Sequence, residues 1–258
     1  MTHTTRENLL ASFKAGVHLD GRKLTEYRSI TVRKSVTRSA EGSAHILLGE
    51  TELYVGVKLG IEKPYPDTPE QGNLMVNAEL RPISCEKFEV GPPGDEAVEL
   101  ARVVDRGIRE SHAIDTHALC ITPREAVWSV MIDVCTVNAT GGLIDASGLA
   151  ALAALLDTTF PKNTDTIVHY EERTDKALPI DSYPVPVTVY KFGEYLVVDP
   201  LPEEEEHADA RLTIAMTERN TICALQKGGV SPLTADEILA MIDIALKRAP
   251  ELRKHVLR

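Results

Sequence analysis

A chain of 258 residues suits one large domain or two intimately joined halves, and it can bury roughly three quarters of its unfolded surface without a metal or a disulfide. Apolar residues make up 43% and charged residues 26%, the balance of a soluble globular protein. The formal net charge of −11 argues against a free-standing nucleic-acid binder, which would more often be basic, so any such contact would need a local patch or a basic partner.

Leu9, Leu10 and Phe13 fall on one face of a short first helix that Gly16 can stop. Asp20-Gly21-Arg22 reads as a turn, and Ile30 and Val32 begin a strand. Residues 44–59 read as a strand pair about a Gly49-Glu50 turn. Leu53, Val55, Val57 and Leu59 alternate with Tyr54, Gly56 and Lys58, so one face of that strand is buried. A proline-rich loop (Pro64, Pro66, Pro69) leads to a strand at Leu74, Val76 and Ala78. Asp95 is placed as the cap of a helix whose apolar side is Ala97, Leu100, Ala101, Val104 and Ile108, ending near Ala113.

Ala126–Val137 reads as a buried strand. Gly141-Gly142 then opens Leu143–Leu156, an alanine-rich helix apolar on all sides and therefore central. Pro184–Val198 holds two strands joined at Phe192-Gly193-Glu194. An acidic loop, Glu203–Glu206, precedes strands at Leu212–Met216 and Thr221–Leu225. Thr234…Glu237 fits a capping box before a last helix with Ile238, Met241, Ile242, Ala245 and Leu246 inward and Pro250 after its end. The result is an α+β chain (a two-layer α/β-type arrangement) of two similar halves, about 18–160 and about 184–250, packed as one body.

Cys85, Cys120, Cys135 and Cys223 form no C-x-x-C pair, and no histidines fall at metal-binding spacing, so no zinc site is expected. Three of the four cysteines lie in apolar stretches and read as small buried side chains, which points to a reducing compartment. No apolar run of 18 residues occurs and Met1–Gly16 lacks the apolar centre of a signal peptide, so a cytoplasmic chain with no membrane contact is expected.

Three features carry chemistry. Gly141-Gly142 at a helix start points backbone N–H groups toward an anion, or simply permits a tight turn. Arg102, Arg106 and Arg109 lie at i, i+4, i+7 on the polar face of one helix, a row suited to RNA phosphates. Glu99, Asp105 and Glu110 are spaced to neutralise them, and spacing leaves both readings open. Glu203–Glu206 reads as a solvated loop rather than a metal cluster. Trp128 is placed in the core; Tyr65 and Arg81 are weaker candidates for RNA contact.

Several landmarks, in order, resemble the RNase PH family. They are Leu19-Asp20-Gly21-Arg22 with Arg28, Gly42-Ser43-Ala44 before Gly49-Glu50-Thr51, Gly72-Asn73 with Glu79 and Pro82, the Glu99–Arg109 helix, and Gly141-Gly142 before the alanine-rich helix. The phrases DGRKLTEYR, ELARVVDRGIRES and GGLIDASGLAALAAL are most similar to the non-catalytic RNase PH-like ring subunits of archaeal exosomes.

The resemblance implies two related halves with left-handed β-α-β units. It implies a heterohexameric ring, a trimer of heterodimers, built with a catalytic RNase PH-like subunit and joined by RNA-binding cap subunits. The ring would degrade and tail single-stranded RNA by 3′→5′ phosphorolysis. Inorganic phosphate, with Mg²⁺ as an optional addition, would be used by the catalytic partner, and this chain would hold no cofactor. Active relatives place a Thr-Arg pair after the glycines; here it is Leu143-Ile144, with Asp145 in the same turn to repel phosphate. Arg211 occupies the position of an active carboxylate, and Asp209 remains nearby. No catalytic residue is therefore assigned to this chain, and Arg102, Arg106 and Arg109 are the expected RNA contacts. The alternatives are a self-sufficient phosphorolytic exoribonuclease in a homohexamer and an unrelated α/β enzyme binding Mg²⁺ at the acidic loop.

Overall fold

Alanine loses no side-chain entropy in a helix and lets neighbouring elements approach closely. The segment after Gly142 uses both properties. In the computed structural model, which describes residues 2–257, this segment is α3 (Leu143–Asp157), buried from Asp145 through Leu155. It lies between two sheets and touches elements of both.

The first sheet contains β1 (Ile30–Lys34), β2 (Gly42–Leu48), β3 (Thr51–Glu62), β4 (Asn73–Glu79), β5 (Cys120–Thr122) and β6 (Ala126–Asn138). Its order is β1-β2-β3-β6-β4, with β5 paired to β6. The β4–β6 pair is parallel, so the chain between them crosses over through α2 (Asp95–Glu110). The alternation along β3 is realised: Leu53, Val55, Val57 and Leu59 are fully buried beneath α3.

A shorter pair, β7 (Thr159–Thr164) and β8 (Ile167–Ala177), follows α3. The second sheet is antiparallel in the order β10-β9-β11-β12, built from β9 (Val185–Phe192), β10 (Tyr195–Val198), β11 (Ala210–Met216) and β12 (Ile222–Gly228). A one-turn helix, α4 (Pro202–Glu205), links β10 to β11, and α5 (Ala235–Leu257) packs on β9 and β11. One apolar cluster includes side chains of both sheets, α2, α3 and α5, so the halves share a core. A second, smaller cluster joins α1 (Thr2–Lys14), through Leu9 and Phe13, to Tyr190, Phe192 and Val197.

Four local expectations are corrected. The cap of α2 is Gly94; Asp95 sits in the first turn, where its charge favours the helix dipole. That helix stops at Glu110 because His112 turns the chain at φ +50°. α5 runs through Pro250 rather than ending before it. Its last turns are held by buried Leu252 and Val256 and by the Arg253 guanidinium, which donates to the carbonyls of Tyr183 (2.7 Å) and Met216 (2.8 Å). All four cysteines are free thiols at intermediate burial rather than in the core. The capping box forms as read: the Thr234 N–H donates to Glu237 (2.8 Å) and the Glu237 N–H to the Thr234 hydroxyl (3.3 Å).

Candidate functional site

The turn before α3 is strained in the way only glycine tolerates. Gly141 and Gly142 take φ +82° and +67°. A Cβ on Gly141 would lie 2.6 Å from the Pro200 carbonyl oxygen, and one on Gly142 would lie 2.7 Å from the Asp199 carboxylate.

The chain's own charged groups fill this turn. Asp199 has a fully buried side chain that accepts from the Arg28 N–H (2.8 Å), Nε (2.9 Å) and Nη2 (2.6 Å), and from Arg22 Nη1 at 3.3 Å. Arg28 also donates to the carbonyls of Thr140 (2.6 Å) and Gly141 (3.1 Å). The Arg22 and Arg28 landmarks are thus two halves of a clamp on Asp199, tying the N-terminal loop to the α3 turn and the end of β10.

Glu205 approaches from the other side. It accepts from the Tyr190 hydroxyl at 2.8 Å, and the Gly142 backbone N–H is also turned to it. Burial raises its pKa, against the pull of Tyr190, Arg211, Arg28 and Gly142. An internal carboxyl group therefore stands at the helix N-terminus, where an external anion would bind. Leu143 and Ile144 pack against the core.

Two expectations change here. Asp145 does not face an anion site. It is buried beneath the turn, where it accepts from the Tyr27 hydroxyl (2.6 Å), the Thr188 N–H (3.0 Å) and the Thr188 hydroxyl (2.7 Å). Burial pushes its pKa up to about 6 despite these bonds. The acidic run is likewise not a uniformly solvated loop. Glu203 and Glu206 are exposed, but Glu204 is completely buried on His18 Nδ1 (2.7 Å) and the N–H groups of Leu19 (2.8 Å) and Leu201 (2.9 Å). Burial alone would raise the Glu204 pKa, but these donors hold it below its ordinary value. A short helix turns the middle two acids inward and the outer two to solvent, which a run of identical residues does not reveal.

Arg211 forms an ion pair with Glu99 at 2.6 Å. Asp209 accepts from the Gly193 N–H (2.7 Å) and pairs with Arg6 (2.7 Å). Among the described residues no three His, Cys, Asp or Glu side chains converge in a group able to hold a metal. No described helix is long and apolar enough to cross a membrane.

The arginines of α2 divide. Arg109 is held by Asp105 through two bonds (3.0 and 2.6 Å) and donates to the Leu74 carbonyl (2.9 Å). Arg102 and Arg106 are exposed and form no ion pair among the described residues. They border β12, where Arg106 reaches the Gln226 side-chain oxygen at 3.5 Å. Arg81 is paired with Glu79 at 2.6 Å, Tyr65 is exposed, and Trp128 is a core residue stacked edge-on to Phe160. Sequence reasoning missed Asp199, Tyr190 and Glu205. Asp199 had a signal: an acid between Val197-Val198 and Pro200, at the end of a buried strand.

Two strand-rich halves closed on one buried alanine helix, with arginines clamped at its glycine turn, define an α+β protein of the RNase PH type. Sequence profiles described as 3′ exoribonuclease family, domain 1 and domain 2, match residues 26–161 and 182–248. The chain belongs to this 3′ exoribonuclease family. It is 45% identical, over 97% of its length and 95% of the relative's, to "Exosome complex component Rrp42" of Methanopyrus kandleri. Among solved structures it is similar to a chain of an Archaeoglobus fulgidus exosome with RNA bound to the active site, with TM-score 0.90, 39% identity and 97% of each chain covered. A chain of an archaeal exosome core matches with TM-score 0.87 and 37% identity, covering 99% of this chain and 97% of that one.

Proposed function

We propose that this chain is a non-catalytic ring subunit of an archaeal-type RNA exosome, a cytoplasmic partner that helps to hold single-stranded RNA for a catalytic RNase PH-like subunit. The observation that carries this reading is the sealed α3 turn. Arg28, Asp199 and Glu205 pack about the turn where a helix N-terminus would otherwise be open to an anion, and Leu143-Ile144 rather than Thr-Arg follows the glycines. The names of the relatives support membership of an exosome complex; in this reading the chain joins a catalytic RNase PH-like subunit in a trimer of heterodimers that carries RNA-binding cap subunits. Inorganic phosphate, and Mg²⁺ where it is needed, belong to the partner's chemistry. On α2, Arg102 and Arg106 are the guanidinium groups available to RNA phosphates, while Arg109 is engaged by Asp105.

The test is phosphorolysis of labelled poly(A) by the chain alone and assembled with a catalytic ring subunit, wild type against Arg102→Glu/Arg106→Glu. The expected result is no activity alone, activity in the assembly, and RNA affinity lowered about 10–100-fold in the double variant with the ring intact. Phosphate-dependent activity of the chain alone would overturn the reading in favour of a self-sufficient enzyme.

A further inference from the structure

The second sheet ends in an unpaired edge, β12, and α2 runs alongside it. Along this strand Gln226 stands opposite Thr213 and Ala224 opposite Ala215, so Gln226 and Ala224 face α2. Gln226 lines a groove with Val98, Arg102 and Val103, and a second recess with Arg106 and Leu225. Its side-chain oxygen receives only the long contact from Arg106, and its amide N–H groups have no hydrogen-bond partner among the described residues.

Of the two carboxylates at the rim, one is paired. Glu99 is taken by Arg211, whose guanidinium lies across Gly228 where a Cβ would come within 2.6 Å of it. Asp95 also lines the groove, in the first turn of α2 at its far end from Arg106, and has no ion pair among the described residues. Toward the Arg106 end the groove offers two guanidinium groups, on residues one helical turn apart with Cβ atoms about 6 Å from each other, and one amide. All present hydrogen-bond donors, and none has a carboxylate partner. Phosphodiester oxygens only accept, so they match this set better than a base edge, which also donates. Exposed Val98 flanks the donors and suits the sugar or base face of a single strand.

We propose that Gln226 is an uncharged third contact to an RNA phosphodiester held by Arg102 and Arg106, and that it positions Arg106 toward that phosphate. The proposal rests on the reading of α2 as an RNA-contacting helix and extends the site onto the edge strand.

The experiment measures binding of fluorescent oligoadenylate to the chain assembled with a catalytic ring subunit, between about 50 and 200 mM salt. Gln226→Glu gives Arg106 a carboxylate partner. It is expected to weaken binding roughly tenfold and to make the slope of log affinity against log salt shallower by about 0.7, the value for one lost phosphate contact on a single strand. A purely structural role for Gln226 would not move that slope. With Arg106→Gln already present, the same change should cost less than about threefold, because there is no partner left to capture. Gln226→Met keeps the length and carries no charge. It should weaken binding a few-fold with the slope unchanged, and it carries the test if the Glu variant is unstable. Wild-type affinity in both Gln226 variants overturns the proposal, as does an equal loss with and without Arg106. If Arg102→Glu/Arg106→Glu itself leaves RNA binding unchanged, the reading of α2 has failed; if that variant loses binding and the Gln226 variants do not, only the role of Gln226 has failed.

Discussion

Asp145 offers a direct test of how the buried junction is charged. Its carboxyl pKa rises from 3.8 to about 6 on folding, a bias of about 3 kcal/mol toward the neutral form. The folded pKa lies above the unfolded one, so folding takes up protons between these values. The stabilisation is fully present below pH 3.8 and is lost as pH rises through about 6. Asp145→Asn removes the titration while keeping the bonding. One amide oxygen can accept from the Tyr27 hydroxyl and the Thr188 N–H, and the amide N–H can donate to the Thr188 hydroxyl, which then donates to Thr213. Urea unfolding of both proteins at pH about 4.5 and 7.5 isolates this group, because other titrations cancel in the difference. The stability of wild type relative to the variant should fall by about 2 kcal/mol over that interval and stay flat at higher pH. A constant difference, or one that grows with pH, would refute the argument that burial outweighs the three hydrogen bonds.

Gly142→Ala should lower stability by about 2–4 kcal/mol, because the new Cβ collides with the Asp199 carboxylate at a positive φ and loosens the Arg28 clamp; a thermal melt reads this directly. Pro250→Ala restores an amide donor inside α5, opposite the Leu246 carbonyl, and should raise stability by about 1–3 kcal/mol in urea unfolding.

The elements with strong periodicity were legible from the residues alone. β3 alternates cleanly because one face meets α3, and α3 reads as central because it has no polar face. The β7–β8 pair was not legible: β8 carries Glu171, Glu172, Arg173, Asp175 and Lys176 and is mostly exposed, so no buried face marks it. Pro250 misled because its local rule is strong, and the contacts that override it come from the Arg253 anchors. At the site, the apolar Leu143-Ile144 pair after the glycines is visible in sequence. The carboxyl group that fills the turn is not, because Glu205 lies more than sixty residues beyond Gly142 and only folding brings the two together. The split among the arginines is equally a matter of three dimensions. Spacing offered Asp105 to Arg102 and Arg109 alike, and in the fold it is bonded to Arg109.

The small cluster beneath α1 has a consequence for biosynthesis. Leu9 and Phe13 are made first, but the surface they cover is Tyr190, Phe192 and Val197. At about 5–20 residues per second, the ribosome needs on the order of 10–40 s to deliver that surface after Phe13 has been made. Throughout that interval the first helix has two large apolar side chains and nothing native to bury them on. Docking of the first helix therefore comes late in vectorial folding, after the second sheet has closed.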